Sequence, residues 1–281
     1  MDYRSHQRGR SRGIEEMRRG RVIGALLASA LAVSAAPGPR VVRIVARDYV
    51  FLAPDTIRAG AVVFEYQNDG KEPHEALLRR VPSGHTANEV FAAVAAGALP
   101  DWLGPGGGPN LVEAGGHARV RQNLEPGTYI WLCAVATGTV PHMKMGMVRA
   151  MVVASRTAEP SEEPVAATVV DMKDFAYTVK AVPRGRHWLR VQNSGGRDHE
   201  LVIWRLAPGA TMQDALSWRQ VSGRPRPFSR MGGVGRLGPG QHAFVELDAR
   251  PGKYVFRCRI PEPELHKTHF QLGMQSEITV Q

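Results

Sequence analysis

Short runs in which apolar and polar positions alternate fill most of the chain. Residues 41–46 (Val-Val-Arg-Ile-Val-Ala), 61–66 (Ala-Val-Val-Phe-Glu-Tyr), 117–121, 128–133 (Thr-Tyr-Ile-Trp-Leu-Cys) and 148–153 carry the pattern. Alternation puts every second side chain on one face, which predicts half-buried strands. Residues 48–51 continue a sheet edge, and the turn residues Asn68, Asp69 and Gly70 close the strand before them. Residues 87–96 have helical spacing and predict one short helix. The Gly- and Pro-rich residues 104–109 predict a loop. Many short strands separated by turn signals predict an all-β protein of sandwich type.

The pattern then restarts. The stretch Ser155-Arg-Thr-Ala-Glu-Pro-Ser-Glu-Glu-Pro164 is polar, acidic and proline-bearing. It reads as a linker at 155–165, between a first domain at 40–154 and a second at 166–281. Asp174-Phe-Ala-Tyr177 answers Asp48-Tyr-Val-Phe51. Asn68 and Asn193 lie 125 positions apart, as do Gly70 and Gly195, His74 and His199, Glu75 and Glu200, His117 and His242, Pro126 and Pro251, Gly127 and Gly252, Tyr129 and Tyr254, and Cys133 and Cys258. His142 and His269, and Met147 and Met274, differ by 127, so the insertion falls between the cysteine and the histidine. Loops absorb insertions better than strands do. A sustained offset of this kind marks an internal repeat and predicts two tandem sandwiches.

The 281 residues suffice for two domains, and 43% hydrophobic with 22% charged residues is a globular composition. Thirty glycines and twenty prolines suit a turn-rich β protein, and 7% aromatics predict small cores built on Val, Leu and Ala. Trp188, Trp204 and Trp218 are expected in those cores. The net charge is +10; residues 1–35 hold seven arginines and three acids, which leaves 29 basic and 23 acidic residues, or +6, in the rest. That surface suits an acidic partner or an anionic membrane face, or is simply basic. No basic run is interleaved with aromatics, so nucleic acid is not indicated.

Residues 22–35 form a short apolar run behind Arg18, Arg19 and Arg21 and end in small residues. This layout predicts a secretory signal peptide over residues 1–35, cut after Ala35, with Met17 as an alternative start and a plain membrane anchor as the other reading of the run. No cysteine follows the cut, against a lipoprotein. Sec or twin-arginine export both remain open. No later segment is long and apolar enough to cross a membrane. The mature chain is expected to be periplasmic or secreted.

The two cysteines end equivalent strands, and each is followed by a histidine and then a methionine five positions further on: Cys133, His142, Met147 and Cys258, His269, Met274. Thiolate, imidazole and thioether are the soft donors that suit copper. Residues two apart share a strand face. Tyr129, Trp131 and Cys133 therefore point one way, as do Tyr254, Phe256 and Cys258, placing each sulfur at the end of an apolar face. A disulfide between Cys133 and Cys258 is the alternative for an exported chain with an even cysteine count, and sandwiches with degenerate, empty sites are another. Met143 and Met145 enrich the first loop, either as a receiving surface for Cu(I) or as cover for an apolar rim. His117 and His242 read as strand-end surface histidines.

The segments Asn68-Asp-Gly-Lys-Glu-Pro-His74, Pro126-Gly-Thr-Tyr-Ile-Trp-Leu-Cys133 and Pro141-His-Met-Lys-Met-Gly-Met147, with residues 193–199, 251–258 and 269–274 in the second copy, resemble the cupredoxins, the blue or type 1 copper proteins. The resemblance implies two Greek-key sandwiches of plastocyanin type over residues 40–281. It implies ligands His74, Cys133, His142 and Met147 in one site, and His199, Cys258, His269 and Met274 in the other. Two imidazoles and the thiolate would form a plane, with methionine as the weak axial ligand. Eight residues separate Cys133 from His142, like the type 1 site of copper nitrite reductases; ten separate Cys258 from His269, where His266 is a competing donor. Met145 is a further candidate. Plastocyanin-like domains carry an asparagine where this chain has Glu75 and Glu200; a carboxylate there either hydrogen-bonds a ligand loop or joins a harder metal site. Leu132 and Arg257 stand where nitrite reductases and multicopper oxidases have a histidine before the cysteine, and the chain has no His-x-His pair. Both features point away from catalytic copper. The function implied is that of an exported copper-binding protein, a one-electron carrier with one copper per domain, served by a redox or copper-donor protein in the periplasm. The alternatives are copper storage or delivery, and a metal-free interaction module. The sequence assigns no oligomeric state.

Overall fold

The strand Arg40–Arg47 shows how alternation becomes burial: Val42, Ile44 and Ala46 turn inward while Val41, Arg43 and Arg47 face solvent. The structure, a computed structural model, describes residues 38–155, 161–219 and 223–281. The export signal expected over 1–35 and residues 156–160 of the expected linker lie outside them.

Arg40–Arg47 pairs with Val50–Leu52 on one side and, in parallel, with Gly60–Asn68 on the other, which pairs in turn with His117–Leu124. The second half repeats the arrangement. Ala166–Lys173 lies between Ala176–Val179 and the parallel strand Gly185–Asn193, and the latter pairs with His242–Ala249. The two groups fuse where His242–Ala249 meets His117–Leu124, with Phe244 opposite Arg121 and Val245 opposite Val120. One eight-stranded sheet therefore runs through both halves. A second sheet closes each half. In the first it is built on Val148–Ala154, Gly127–Leu132 and Leu77–Val81. In the second it is built on Phe228–Leu237, His199–Leu206, Gly252–Arg257 and Gln275–Val280. The chain is thus all-β, two tandem Greek-key sandwiches, as the repeat implies.

Each cysteine strand is covered on both faces. Tyr129, Trp131 and Cys133 face the sandwich core with Phe64, Met147 and Met151, while Ile130 and Leu132 face Val90 and Val94. Those valines belong to the helix Ala87–Ala96, which forms over the predicted residues behind a capping box between Thr86 and Glu89. The second half has a shorter helix, Met212–Ser217, that the spacing does not predict. Its signal is local: Thr211 and Asp214 form the same capping box. It lays Ala215 against Trp204, Phe228 and Val255. Of the three tryptophans expected in the core, only Trp204 is buried; Trp188 and Trp218 are half-buried, with Arg119 over the Trp188 ring.

The Gly- and Pro-rich stretch is more than a loop. Gly107 N donates to Arg236 O, Gly235 N to Gly108 O, and Asn110 N to Gly233 O, at 2.8, 2.9 and 3.2 Å. It forms a seam between the halves, and glycines are needed because backbone meets backbone: a Cβ on Gly235 would collide with Gly107 O. The segment that follows the undescribed linker residues lies over the shared sheet, where Arg121 donates to Ser161 O and Glu162 O.

Candidate metal centres

Local rules deliver each donor. The strands Gly127–Leu132 and Gly252–Arg257 begin with a tyrosine corner: Tyr129 Oη donates to Glu125 O at 3.1 Å, and Tyr254 Oη to Arg250 O at 3.0 Å. Past each strand, Cys133 N donates to Met147 O and Cys258 N to Met274 O, at 3.1 and 3.2 Å. Each downstream histidine opens a 3-10 turn, His142–Met145 or His269–Leu272, stopped by Gly146 at φ 109° or Gly273 at φ 111°. That left-handed stop suits glycine. It explains the five-residue spacing, because the turn closes with Met147 N donating to His142 O and Met274 N to His269 O. The other histidine arrives on a loop folded by an asparagine. Asn68 Nδ2 donates to Glu72 O and Glu113 O, and Asn193 Nδ2 to Arg197 O and Leu237 O.

The result is two buried clusters, His74 with Cys133 and His142, and His199 with Cys258 and His269, whose donor atoms lie within 4.8 Å of one another. In the first, Cys133 Sγ is 3.5 Å from His142 Nδ1 and 3.8 Å from His74 Nδ1, and the two Nδ1 atoms are 2.9 Å apart. In the second, Cys258 Sγ is 3.5 Å from His269 Nδ1, and the Nδ1 atoms of His199 and His269 are 3.1 Å apart. Met147 and Met274 are fully buried in the same core clusters as their cysteines. His266 is exposed in a left-handed turn and lies outside the cluster, which takes His269 instead. Met145 is 38% exposed, facing away from the core that holds Met147. Both cysteines are free and buried, which overturns the disulfide.

Three of the four outward ring nitrogens are braced by carboxylates. His74 Nε2 is 3.0 Å from Asp48 Oδ1, and His199 Nε2 is 2.9 Å from Asp174 Oδ1. His142 Nε2 lies 2.9 Å from Glu72 Oε2 and 3.0 Å from Thr137 Oγ1; His269 Nε2 lies 3.6 Å from Glu262 Oε2. The hydrogen bond from His74 holds Asp48 below the usual carboxylate range, and that from His199 does the same for Asp174. An ionised carboxylate only accepts, so in the braced rings of His74, His142 and His199 the proton sits on Nε2 and the Nδ1 lone pair faces inward. Burial lowers the pKa of His142, aided by His74; burial lowers that of His199; and burial with His199 lowers that of His269. These rings are neutral at pH 7. Burial, with Glu75, pushes the Cys133 thiol up; burial, with Glu200, pushes Cys258 up to about 12.

Two inward lone pairs about 3 Å apart repel, and a cation placed among them relieves this. The residues therefore fit a metal: two imidazoles, a thiol that ionises on binding, and a buried methionine in the same core cluster as each cysteine. Of first-row metals, that set with trigonal nitrogen and sulfur donors suits copper.

Sequence reading passes over the braces. Asp48 and Asp174 are visible there only as members of a repeated Asp-aromatic pair, whose second residue matters as well. Tyr49 and Phe175 hold the left-handed conformation at φ 67° and 61°, uncommon for non-glycine residues. Their rings meet His142 and His269 edge-on at 5.2 Å each, closing the clusters from outside. Gly70 and Gly195 leave room for the aspartates, since a Cβ on Gly70 would stand 2.5 Å from Asp48 Oδ1 and 2.7 Å from His74 Nε2. The two roles open to Glu75 and Glu200 resolve toward the ligand loop. Glu75 Oε1 accepts from Ala134 N at 3.2 Å, and Glu200 Oε1 from Arg259 N at 3.0 Å, in each case the residue after the cysteine.

No family model and no curated protein matches the chain. Similar solved structures include dithionite-reduced auracyanin from Roseiflexus castenholzii, at 22% identity and TM-score 0.28 over 42% of this chain and 99% of that one. The blue copper oxidase from Nitrosomonas europaea is 13% identical, with TM-score 0.25 over 86% of each chain. The copper nitrite reductase of the same organism is also 13% identical, with TM-score 0.25 over 86% of this chain and 93% of that one. The strand order and the two clusters are the chain's own, and by them its fold is cupredoxin-like, in tandem.

Proposed function

We propose that this is an exported copper protein that carries single electrons, with one copper held in each half. The observation that supports this most is the inward-facing pair of Nδ1 atoms beside a buried thiol, found twice. His74, Cys133 and His142 would hold the metal in the first site with Met147 beside them. His199, Cys258, His269 and Met274 would do so in the second. Bound copper supplies the one-electron couple. The chain supplies a shell that need not rearrange: rings fixed by Asp48, Glu72 and Asp174, aromatic covers at Tyr49 and Phe175, and donors with 0–2% exposure. Such carboxylate braces fix ring orientation and tune a metal site. Burial of all the donors favours electron passage over substrate binding, and Leu132 and Arg257 offer no imidazole toward a second centre. Residues 22–35 support export to the periplasm or beyond, where the partner is a redox protein whose acidic face suits the basic surface. Reversible oxidation and reduction of the copper-loaded chain, with one electron taken up per copper, tests the reading; a chain that binds no copper rejects it. Met145, exposed after His142, favours a second reading in which the first site receives Cu(I) from a donor and passes it on. Colourless Cu(I) binding with no oxidised coloured form would select that reading.

A further inference from the structure

The carboxylates that follow the first histidines do not serve their own sites alone. Arg259, the residue after Cys258, reaches across the seam. Its Nη2 donates to Glu75 Oε2 of the first half at 2.7 Å and to Asn110 Oδ1 at 3.0 Å, while its Nε donates to Glu200 Oε1 at 3.0 Å. Asn110 Nδ2 in turn donates to Glu200 Oε2 at 3.0 Å. The side chain of Glu75 is 0% exposed, that of Glu200 5%, and that of Arg259 28%. An unbroken chain of hydrogen bonds therefore joins the two cysteine loops. From Cys133 it passes through Ala134 N to Glu75, through the guanidinium to Glu200, and through Arg259 N to Cys258. The bridge is single: the place of Arg259 in the first half is taken by Ala134.

We propose that the bridge of Glu75, Arg259 and Glu200 couples the two clusters into one redox unit, so that a charge in either half sets the potential of the site in the other. This rests on the copper reading above. A guanidinium stabilises the less positive, reduced state of any metal site that feels it, and a carboxylate stabilises the oxidised state. In a partly dehydrated seam these effects reach further than in water. Arg259 belongs by sequence to the second site, yet its shortest hydrogen bond to a side chain is to the residue beside His74.

The test reads each site alone in the copper-loaded full chain. Cys258→Ser leaves only the first site, and Cys133→Ser only the second. In the Cys258→Ser chain, Arg259→Gln lowers the first site's midpoint. At the parent's midpoint the ratio of oxidised to reduced copper rises about tenfold, or ~59 mV for one electron. In the Cys133→Ser chain, Glu75→Gln raises the second site's midpoint by a comparable factor. The second measurement stands if Arg259→Gln fails to fold. A shift of the stated sign in either cross measurement sustains the coupling. Coloured sites whose midpoints do not move, or move the opposite way, overturn it. Parent chains that take up no copper would instead reject the functional reading.

Discussion

Replacing Gly70 by alanine tests whether the aspartate brace is built for the site. The new Cβ would stand 2.5 Å from Asp48 Oδ1 and 2.7 Å from His74 Nε2, inside a contact that is 3.0 Å long. The same oxygen accepts Lys71 N at 2.8 Å, so two hydrogen bonds must yield together. Overpacking at a tight site costs about 1–3 kcal/mol, and a hydrogen bond to a charged group contributes about 1.5–3 kcal/mol. The Asp48 side chain is 29% exposed, so water replaces part of what is lost. The expected destabilisation is therefore about 2–4 kcal/mol, below the full sum. Freed from its brace, the His74 ring loses its fixed orientation, and copper affinity of the first site falls about 10–100-fold. Urea unfolding followed by tryptophan fluorescence reads the first quantity, and chelator competition reads the second. Gly38→Ala is the control, since nothing lies within 4 Å of its Cβ. If Gly70→Ala matches that control in both assays, the brace plays no part in the site.

Tyr129→Phe removes one corner hydrogen bond and Tyr254→Phe two, since Tyr254 Oη also accepts from Arg250 N; each bond lost should cost about 0.5–1.5 kcal/mol in urea unfolding while leaving the copper spectrum unchanged. The metal-free protein should lose stability as pH rises from the ordinary thiol value of 9.0 toward about 12, because the folded state holds the Cys258 proton that the unfolded state releases. Thermal melts should show Cys258→Ser flattening that slope, and an unchanged slope counts against the raised thiol. Copper loading at pH 7 should release about one proton per site, from the cysteine, detectable in weakly buffered solution; none released would mean that the thiols do not bind. Thr86→Ala should cost about 1 kcal/mol through the lost helix cap, with no effect on either site.

Features written in local order are legible in the sequence itself. Cys133, His142 and Met147 are close along the chain, and the histidine-to-methionine spacing is one short turn closed by a left-handed glycine. The repeat offset exposes the second copy, including Glu75 and Glu200. What stays hidden depends on partners distant in the chain. No periodicity announces that Phe244 pairs with Arg121, or that Gly107 docks on Arg236. Arg259 escapes repeat analysis because Ala134 is its counterpart, so a comparison that looks for likeness passes over the one residue that differs. Asp48 reads as part of a strand edge, and only the hairpin that carries it shows why it lies beside His74.

The central claim is that each cysteine holds copper together with two inward histidines. An absorption spectrum of the copper-loaded chain, taken beside those of Cys133→Ser and Cys258→Ser, tests it most directly. The account predicts an intense visible band with two coppers bound, roughly halved in colour and metal by either substitution and abolished by both. A band and copper content that survive both substitutions would contradict it.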